Sequence, residues 1–505
     1  MSPPARASSE PLLGPRRPRW AAAGLALAGA GLIAVGCRGG TKDPWDGVPA
    51  RPDPVDHGPF FSEPLASGPE VTKACAECHP EAAEDLMATS HWTWKEHARL
   101  PGHDEPTAIG KANLLNNFCI GAEPNLPYCT SCHAGYGWQD DGFDFSDETL
   151  VDCLVCHDGS GTYAKKPGGA GMPADDVDLT AVAKSVSRPS RANCGMCHFD
   201  GGGGDAVKHG DLDRTLVHPT PRIDVHMGEH DLVCVDCHAA PDHQIQGRSM
   251  SVSVGDDRRV YCTDCHAEAP HDDRRLDGHT EAVACPTCHI PLMAVETPTK
   301  MTWDWSTAGR DEVPEDAQHY MKRKGSFTYA KALPPEYRWY NGLARRHVYG
   351  DPVDTDGVTQ MNAPLGDISD PTAKIWPFKV HRGKQPFDAE HGYFIAPKTA
   401  GPEGFWSTFD WDDALAKGAA AMGLAYSGRY AFAETEMYWP LAHMVAPRED
   451  ALRCQGCHGP DGRMDWGALG YGGDPAERGA RRANAQLGTV RDRGASGSDP
   501  AGGPR

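Results

Sequence analysis

The chain has 505 residues and a formal net charge of −21, from 49 Lys+Arg against 70 Asp+Glu. That balance excludes a nucleic-acid binder, which needs basic surface to meet phosphate, and the length excludes a small disulfide-stapled module. Only 39% of the residues are hydrophobic, against 57 Gly and 43 Pro, so something other than aliphatic side chains must fill the interior of a chain this long.

At the N-terminus Arg16, Arg17 and Arg19 precede an apolar run from Trp20 to Gly36. A basic region, a short apolar core and small residues before a cleavage point describe an export signal over residues 1–36, and the run is marginal for a membrane span. Ala34-Val35-Gly36-Cys37 is similar to a bacterial lipobox, with Ala where Leu is usual. Cys37 is therefore a candidate lipid anchor, the alternatives being an ordinary signal peptide or an uncleaved anchor. One acylated cysteine tethers a protein without a spanning helix. The expected location is outside the cytoplasm, periplasmic or membrane-attached. Residues 37–70 are Pro- and Gly-rich and read as a linker.

Of 18 cysteines, all but Cys37 and Cys119 fall in repeats of Cys-x-x-Cys-His. Seven of the eight repeats lie in a core spanning residues 71–300: Cys75/Cys78/His79, Cys129/Cys132/His133, Cys153/Cys156/His157, Cys194/Cys197/His198, Cys234/Cys237/His238, Cys262/Cys265/His266 and Cys285/Cys288/His289. The eighth, Cys454/Cys457/His458, lies in the region 301–470. Cys-x-x-Cys disulfides are redox-active and require no following histidine, and zinc knuckles do not demand one either. Thioether attachment of haem c accounts for all three residues: two thiols bind the vinyl groups and the adjacent imidazole reaches the iron. Eight covalent haems c are expected, and their flat apolar rings supply the missing core.

The region 301–470 is otherwise motif-poor and rich in aromatics, among them Trp303, Trp305, Trp339, Trp376, Trp411 and Trp439. One long helix is predicted, from about Trp411 to Tyr438. Residues 471–505, low in bulky apolar side chains, read as a disordered tail. The expected fold class is mainly α with extensive irregular loops, a multihaem cytochrome c fold in which packed haems form much of the core.

Histidine numbers 24, enough to give each iron a second imidazole, and bis-histidine haems transfer electrons without binding substrate. His91, His226, His243, His279, His381 and His443 sit in apolar or tightly turned contexts and are distal candidates; His209, His271 and His347 are further ones, while His57 and His103 read as loop histidines.

The stretches NNFCIGAEPNLPYCTSCHAGYGW (116–138), VDCLVCHDGSGTY (151–163) and NCGMCHFDGGGGDAVKHGDLD (193–213) resemble the octahaem tetrathionate reductase family of c-type cytochromes. The resemblance covers all eight motifs in order, roughly residues 70–465. It implies reduction of tetrathionate and, with varying efficiency, of nitrite and hydroxylamine. It also implies an active-site haem at the second motif, Cys129/Cys132/His133, with a lysine amine in the distal position. Carried onto this sequence, that lysine is Lys208, and the family's pocket aspartate and cysteine fall on Asp205 and Cys119. An amine binds iron only when deprotonated, which burial favours; Gly201 to Gly204 let the backbone pass close to a flat ring; Asp205 is placed to relay protons; and a pocket thiol at Cys119 is suited to attack a sulfur–sulfur bond.

The sequence therefore reads as an exported octahaem oxidoreductase acting on a small inorganic sulfur or nitrogen substrate, with electrons arriving from a redox partner protein or quinol-linked cytochrome. The rival reading is a non-catalytic multihaem electron-transfer cytochrome. Bulk acidity repels anionic substrates at long range, so a local cationic funnel is expected, with Lys165, Lys166, Lys208, Arg382 and Lys384 as its candidates; the same acidity favours a basic redox partner.

Overall fold

The computed structural model describes residues 43–48, 50–251 and 259–478. The segment read as an export signal, Cys37 and all but the first eight residues of the stretch read as a C-terminal tail lie outside them. No helix among the described residues is long and apolar enough to cross a membrane.

Up to residue 298 the chain is a succession of short helices and turns, with one two-stranded hairpin, Glu96–Arg99 against Pro106–Ile109. Six motifs include or adjoin one helical turn or a 3-10 turn, as in Leu154–His157, Cys234–Cys237, Cys285–His289 and Cys454–Cys457. A single turn suffices because residues three apart lie on one helix face, so both thiols can address one ring. The first motif begins in a longer helix, Gly68–Ala76, and the fourth sits in another, Arg191–His198, started by a reciprocal cap between Ser190 and Asn193.

The stretch read as a linker is largely exposed over its described residues and touches the rest of the chain at a few points: Arg51 pairs with the buried Asp236, and Leu65 N–H donates to Thr180 Oγ1 at 2.8 Å.

The expectation of a mainly α fold fails beyond residue 298. Seven strands form one sheet: β1 Thr299–Asp304, β2 Tyr320–Met321, β3 Gly325–Ala330, β4 Glu336–Tyr340, β5 Thr359–Gln360, β6 Lys374–Asp388 and β7 Tyr430–Pro440. Their order is β2-β3-β1-β6-β7-β5, with β4 also paired to β6. The long β6 runs antiparallel to β7 from Phe378↔Pro440 to Asp388↔Tyr430 and parallel to β1 at Arg382↔Thr302. The register of β1 against β3 shifts between Lys300 and Thr302.

The helix predicted from Trp411 to Tyr438 stops at Ala421. Gly423 follows at φ +67, a left-handed position that ends helices, and residues 430–440 become β7, whose aromatic and β-branched side chains suit a pleated surface.

Trp303, Trp305 and Trp439 are buried at the centre of the largest apolar cluster, with Phe118, Val207, Phe327 and Met437. Each such tryptophan removes about 200 Å² from water, an upper bound of roughly 5 kcal/mol at about 25 cal/mol per Å². This rigid aromatic floor carries two loops. Residues 116–121 are tied down by Asn117 Nδ2 donating to His381 O at 2.7 Å and Trp305 Nε1 donating to Phe118 O at 3.3 Å. Residues 199–210 are tied down by Thr299 Oγ1, 2.7 Å from Ala206 O and 2.8 Å from His209 O.

Candidate haem ligands and the Lys208 pocket

Seven of the eight motif histidines face a second imidazole at nearly constant spacing. Ring centroids lie 6.5 Å apart for His79 and His57, 6.4 Å for His157 and His243, and 6.3 Å for His198 and His91. They are 6.1 Å apart for His238 and His443, 6.0 Å for His266 and His226, 6.4 Å for His289 and His271, and 6.3 Å for His458 and His279. An iron held by two imidazoles needs about 2 Å to each nitrogen and about 1 Å more to each ring centre, hence centroids about 6 Å apart. Direct ring packing does not require this spacing; a shared metal does.

The outer nitrogens corroborate the fit. Nδ1 is engaged by a backbone carbonyl in His57 (Val55, 2.8 Å), His157 (Ser187, 2.9 Å), His238 (Gln246, 2.8 Å) and His279 (Arg275, 2.8 Å). It is engaged by a carboxylate in His271 (Asp277, 3.0 Å), His443 (Asp211, 3.1 Å) and His458 (Asp474, 2.6 Å). Fixing Nδ1 in this way sets the tautomer and leaves Nε2 for a metal, the usual arrangement of ligating histidines. The residues present therefore fit haem c.

Of the distal candidates, His91, His226, His243, His279 and His443 are brought opposite a motif histidine, as is His271. His209 and His381 are not: His209 packs edge-on against Trp439 with ring centroids 4.9 Å apart, and His381 Nδ1 lies 3.1 Å from Asn117 Oδ1. His347 packs on Phe394, and His103 approaches Asp351 at 3.7 Å. His57, expected to be a loop histidine, is instead the partner of His79. Its only sequence signal is its place just ahead of the first motif, where a short reach back would close on His79.

Several motif thiols lie beside a thiol of another motif. Cys75 is in hydrogen-bond contact with Cys153, Cys132 with Cys197, Cys194 with Cys234, and Cys262 with Cys285. Electrostatic coupling of Cys156 to Cys194, of Cys237 to Cys265 and of Cys288 to Cys454 adds to these contacts.

Cys78 is exposed. The helix Gly68–Ala76 has ended just before it, and Cys78 N–H closes the following turn onto Cys75 O at 3.1 Å. The turn leaves Cys75, Cys78 and His79 together, with His79 N–H also donating to Cys75 O at 2.9 Å. Cys237, Cys262 and Cys454 are exposed as well, and each has a thiol neighbour in another motif.

His133 has no imidazole opposite among the described residues. Its ring sits in an aromatic box, with centroids 5.0 Å from Trp92, 5.6 Å from Trp94 and 4.9 Å from Trp138. Nε2 lies 2.7 Å from Trp92 O while Nδ1 is buried without a partner. His133 thus keeps one nitrogen open, but it is Nδ1, the reverse of the paired histidines, in which Nδ1 is held and Nε2 is left for a metal. The loop behind it is held by Lys165, whose Nζ donates to His133 O at 2.5 Å and Gly135 O at 3.3 Å while pairing with the buried Asp152 at 2.9 Å.

Lys208 Nζ lies 5.3 Å from the centre of the Trp439 ring. Burial pushes its amine down to about 8, with Lys111 adding to the effect and Cys132, Cys119 and Cys197 opposing it. Lys208 thus shares surroundings with Cys132 of the second motif. Its backbone is clamped from below by Lys379, fully buried on β6, which donates to Val207 O at 2.9 Å, Lys208 O at 3.1 Å and Thr299 Oγ1 at 2.5 Å. Nothing in the sequence marked Lys379, a basic residue in a strand.

Cys119 belongs to the same cluster. Asn116 Oδ1 accepts from Phe118, Cys119 and Ile120 N–H at 3.2, 2.8 and 3.1 Å, folding the loop around the thiol. Burial pushes the Cys119 thiol up to about 11 despite Lys324, Lys300 and Lys111. Asp205, by contrast, turns away: its Oδ1 accepts from Arg214 N–H at 2.9 Å, and no hydrogen bond or ion pair joins it to Lys208. The funnel candidates other than Lys208 are each neutralised. Lys165 pairs with Asp152, Lys166 with Asp175, Arg382 with Glu336 and Lys384 with Glu434.

Among solved structures, the chain is similar to the crystal structure of octaheme cytochrome c from Shewanella oneidensis, with 49% identity, a TM-score of 0.80, and coverage of 84% of this chain and 98% of that one. The family described as Cytochrome c bacterial matches residues 300–461. No curated protein matches.

Proposed function

Because the chain belongs to the octahaem c-type cytochromes, we propose that it is an exported multihaem oxidoreductase with eight covalent haems c. In this reading it reduces a small inorganic substrate at the second motif, fed by seven bis-histidine haems. The candidate reactions are cleavage of tetrathionate to thiosulfate and reduction of nitrite or hydroxylamine to ammonium. One observation carries the reading: seven motif histidines have an imidazole opposite, and among the described residues His133 has none, while Lys208 shares surroundings with Cys132 of that motif. Bound haem supplies one-electron redox chemistry, and an iron with an exchangeable sixth ligand also offers a place for substrate. The protein's own part is positional. Trp92, Trp94 and Trp138 keep water from His133; Lys165 holds the carbonyl of His133; Lys379 holds the carbonyl of Lys208; Asn116 presents the Cys119 thiol.

The test is substitution of Lys208 by Met in the holoprotein. The expected result is a ferric spectrum with one new high-spin component and loss of turnover with tetrathionate, nitrite and hydroxylamine as tried on the wild type. An unchanged, wholly low-spin spectrum overturns the assignment of Lys208. The seven imidazole pairs favour a second reading, a purely electron-conducting cytochrome. Inertness of the reduced wild-type protein toward all three substrates would select it. Under either reading the redox partner is a protein or quinol-linked cytochrome with basic surface.

A further inference from the structure

Lys300 occupies an unusual position for a lysine. The residue is 1% exposed, and its Nζ lies 3.4 Å from the centre of the Trp303 ring, 4.2 Å from Phe327 and 5.3 Å from Tyr329. No carboxylate pairs with it among the described residues. Aromatic faces favour a cation there, yet the counter-charge that a buried ammonium normally requires is missing.

A second amine converges on the same place. Lys324 stands at the turn between β2 and β3, pinned by Trp303 Nε1 donating to Lys324 O at 2.7 Å. Its Nζ lies 5.8 Å from the Trp303 ring centre and 3.5 Å from Gly203 O, again without a carboxylate partner among the described residues.

The glycine loop connects this place to Lys208. A Cβ added at Gly201 would lie 3.7 Å from Lys208 Cδ, and one at Gly203 would lie 3.9 Å from Lys324 Nζ. At Gly202, φ is +85 and a Cβ would come within 2.6 Å of the Phe118 ring, so only glycine lets the loop run this close. Cys119 and the rings that cage Lys300 belong to one packed cluster. His381, fully buried with Nε2 lacking a partner among the described residues, lies within electrostatic reach of Lys300.

We propose that Lys300 and Lys324 form an anion subsite beside Cys119, which holds the oxyanion end of a small inorganic dianion while the rest of that ligand extends toward Lys208. The subsite rests on the assignment of Lys208 and Cys119 to the reducing site. It supplies the local positive charge that an acidic protein needs to admit an anion, and it places that charge where none of the funnel candidates read from the sequence remains free except Lys208.

The groups acting on Lys300 are Lys324 at the hairpin turn, Cys119 on its loop and Lys379 on β6, and Lys300 in turn acts on His381. Burial, reinforced by Lys324 and Lys379, pushes the Lys300 amine down to about 6. A proton therefore enters with the dianion, and affinity for the dianion falls as pH rises above 6.

The experiment compares holoprotein carrying Lys300→Met or Lys324→Gln with wild type at neutral pH, using tetrathionate as dianion and hydroxylamine as uncharged substrate, and measures thiosulfate binding by calorimetry. Each variant should raise KM for tetrathionate by at least about tenfold more than KM for hydroxylamine, and weaken thiosulfate binding to match. Equal changes for both substrates, or none, overturn the subsite and leave the reductase reading in place. Thiosulfate binding that depends on Lys300 or Lys324 in a wild-type protein that turns over nothing upholds the subsite and removes the reductase reading. If Lys300→Met fails to fold, Lys324→Gln, at an outer turn, decides alone. A wild-type protein that does not bind thiosulfate overturns the subsite.

Discussion

Replacing Asp152 by Asn leaves shape nearly intact and removes one charge. Asp152 is 1% exposed and accepts from Tyr136 Oη at 2.9 Å, Tyr163 Oη at 2.7 Å, Val155 N–H at 3.0 Å and Lys165 Nζ at 2.9 Å. The Lys165 side chain is only 3% exposed. In Asp152→Asn the ammonium stays buried without its counter-ion, and the new amide NH₂ confronts groups that are themselves donors. Breaking a buried pair from one side costs about 3–5 kcal/mol. Adding Lys165→Met removes the orphaned ammonium at similar volume, leaving the carbonyls of His133 and Gly135 short of a donor, at about 1–3 kcal/mol. The double variant should therefore be more stable than Asp152→Asn by about 2 kcal/mol, and its loss should be smaller than the sum of the two single losses. Guanidinium unfolding of holoprotein, followed by the ferric Soret band at constant m, measures all four corners of the cycle. A loss below about 1 kcal/mol in Asp152→Asn, or losses that simply add, would refute the claim that this pair anchors the His133 loop.

Three further outcomes are expected. His57→Leu should add a high-spin component to the ferric spectrum, whereas His381→Leu should not, since His381 has no imidazole opposite; magnetic circular dichroism distinguishes them. Asp211→Asn weakens the charge-assisted hold on His443 Nδ1 and should raise the reduction potential of that haem by about 60 mV, equivalent to about 1.4 kcal/mol, read by potentiometric titration with electron paramagnetic resonance. Burial pushes His347 down to about 4, so between that value and the unfolded value near 6.5 the unfolded chain binds the extra proton. Stability is then lost as pH falls from about 6.5 to about 4, by up to about 3 kcal/mol, and His347→Leu should flatten that limb of the pH–stability profile.

The haem motifs were legible because three residue types in fixed order have one economical chemical explanation. Their burial was not: Cys78 belongs to the same pattern as Cys156 yet lies at the surface, because a motif's neighbours are set by where the chain folds and not by its own five residues. Distal ligands were legible as a number but only partly as identities. His91, His226, His243, His279 and His443 advertised themselves by apolar or turned surroundings, while His57 lies among prolines in an exposed-looking stretch and is recruited by a contact invisible in one dimension. The sheet was hidden for a related reason. β6 reads KIWPFKVHRGKQPFD, with basic residues, a glycine and two prolines that defeat any alternation rule, and those residues are tolerated because Lys379 is satisfied by carbonyls and Arg382 by Glu336. Lys300 was out of reach altogether. Three positions separate it from Trp303, which on a regular strand puts the two on opposite faces. The register shift between Lys300 and Thr302 is what allows the amine to lie over the indole.

The imidazole pairs also have a consequence for how the chain matures. Some join segments close in sequence, as with His271 and His289, and others segments far apart, as with His238 and His443. A metal bridging such a pair is a crosslink, and its closure removes more chain entropy the longer the segment enclosed. Crosslinks near the N-terminus can close as soon as their own stretch of chain is present. The fifth motif must wait for His443 and the eighth for Cys454, when almost the whole chain has been made. A truncation in the β7 region would therefore leave His238 of the fifth motif without its distant partner.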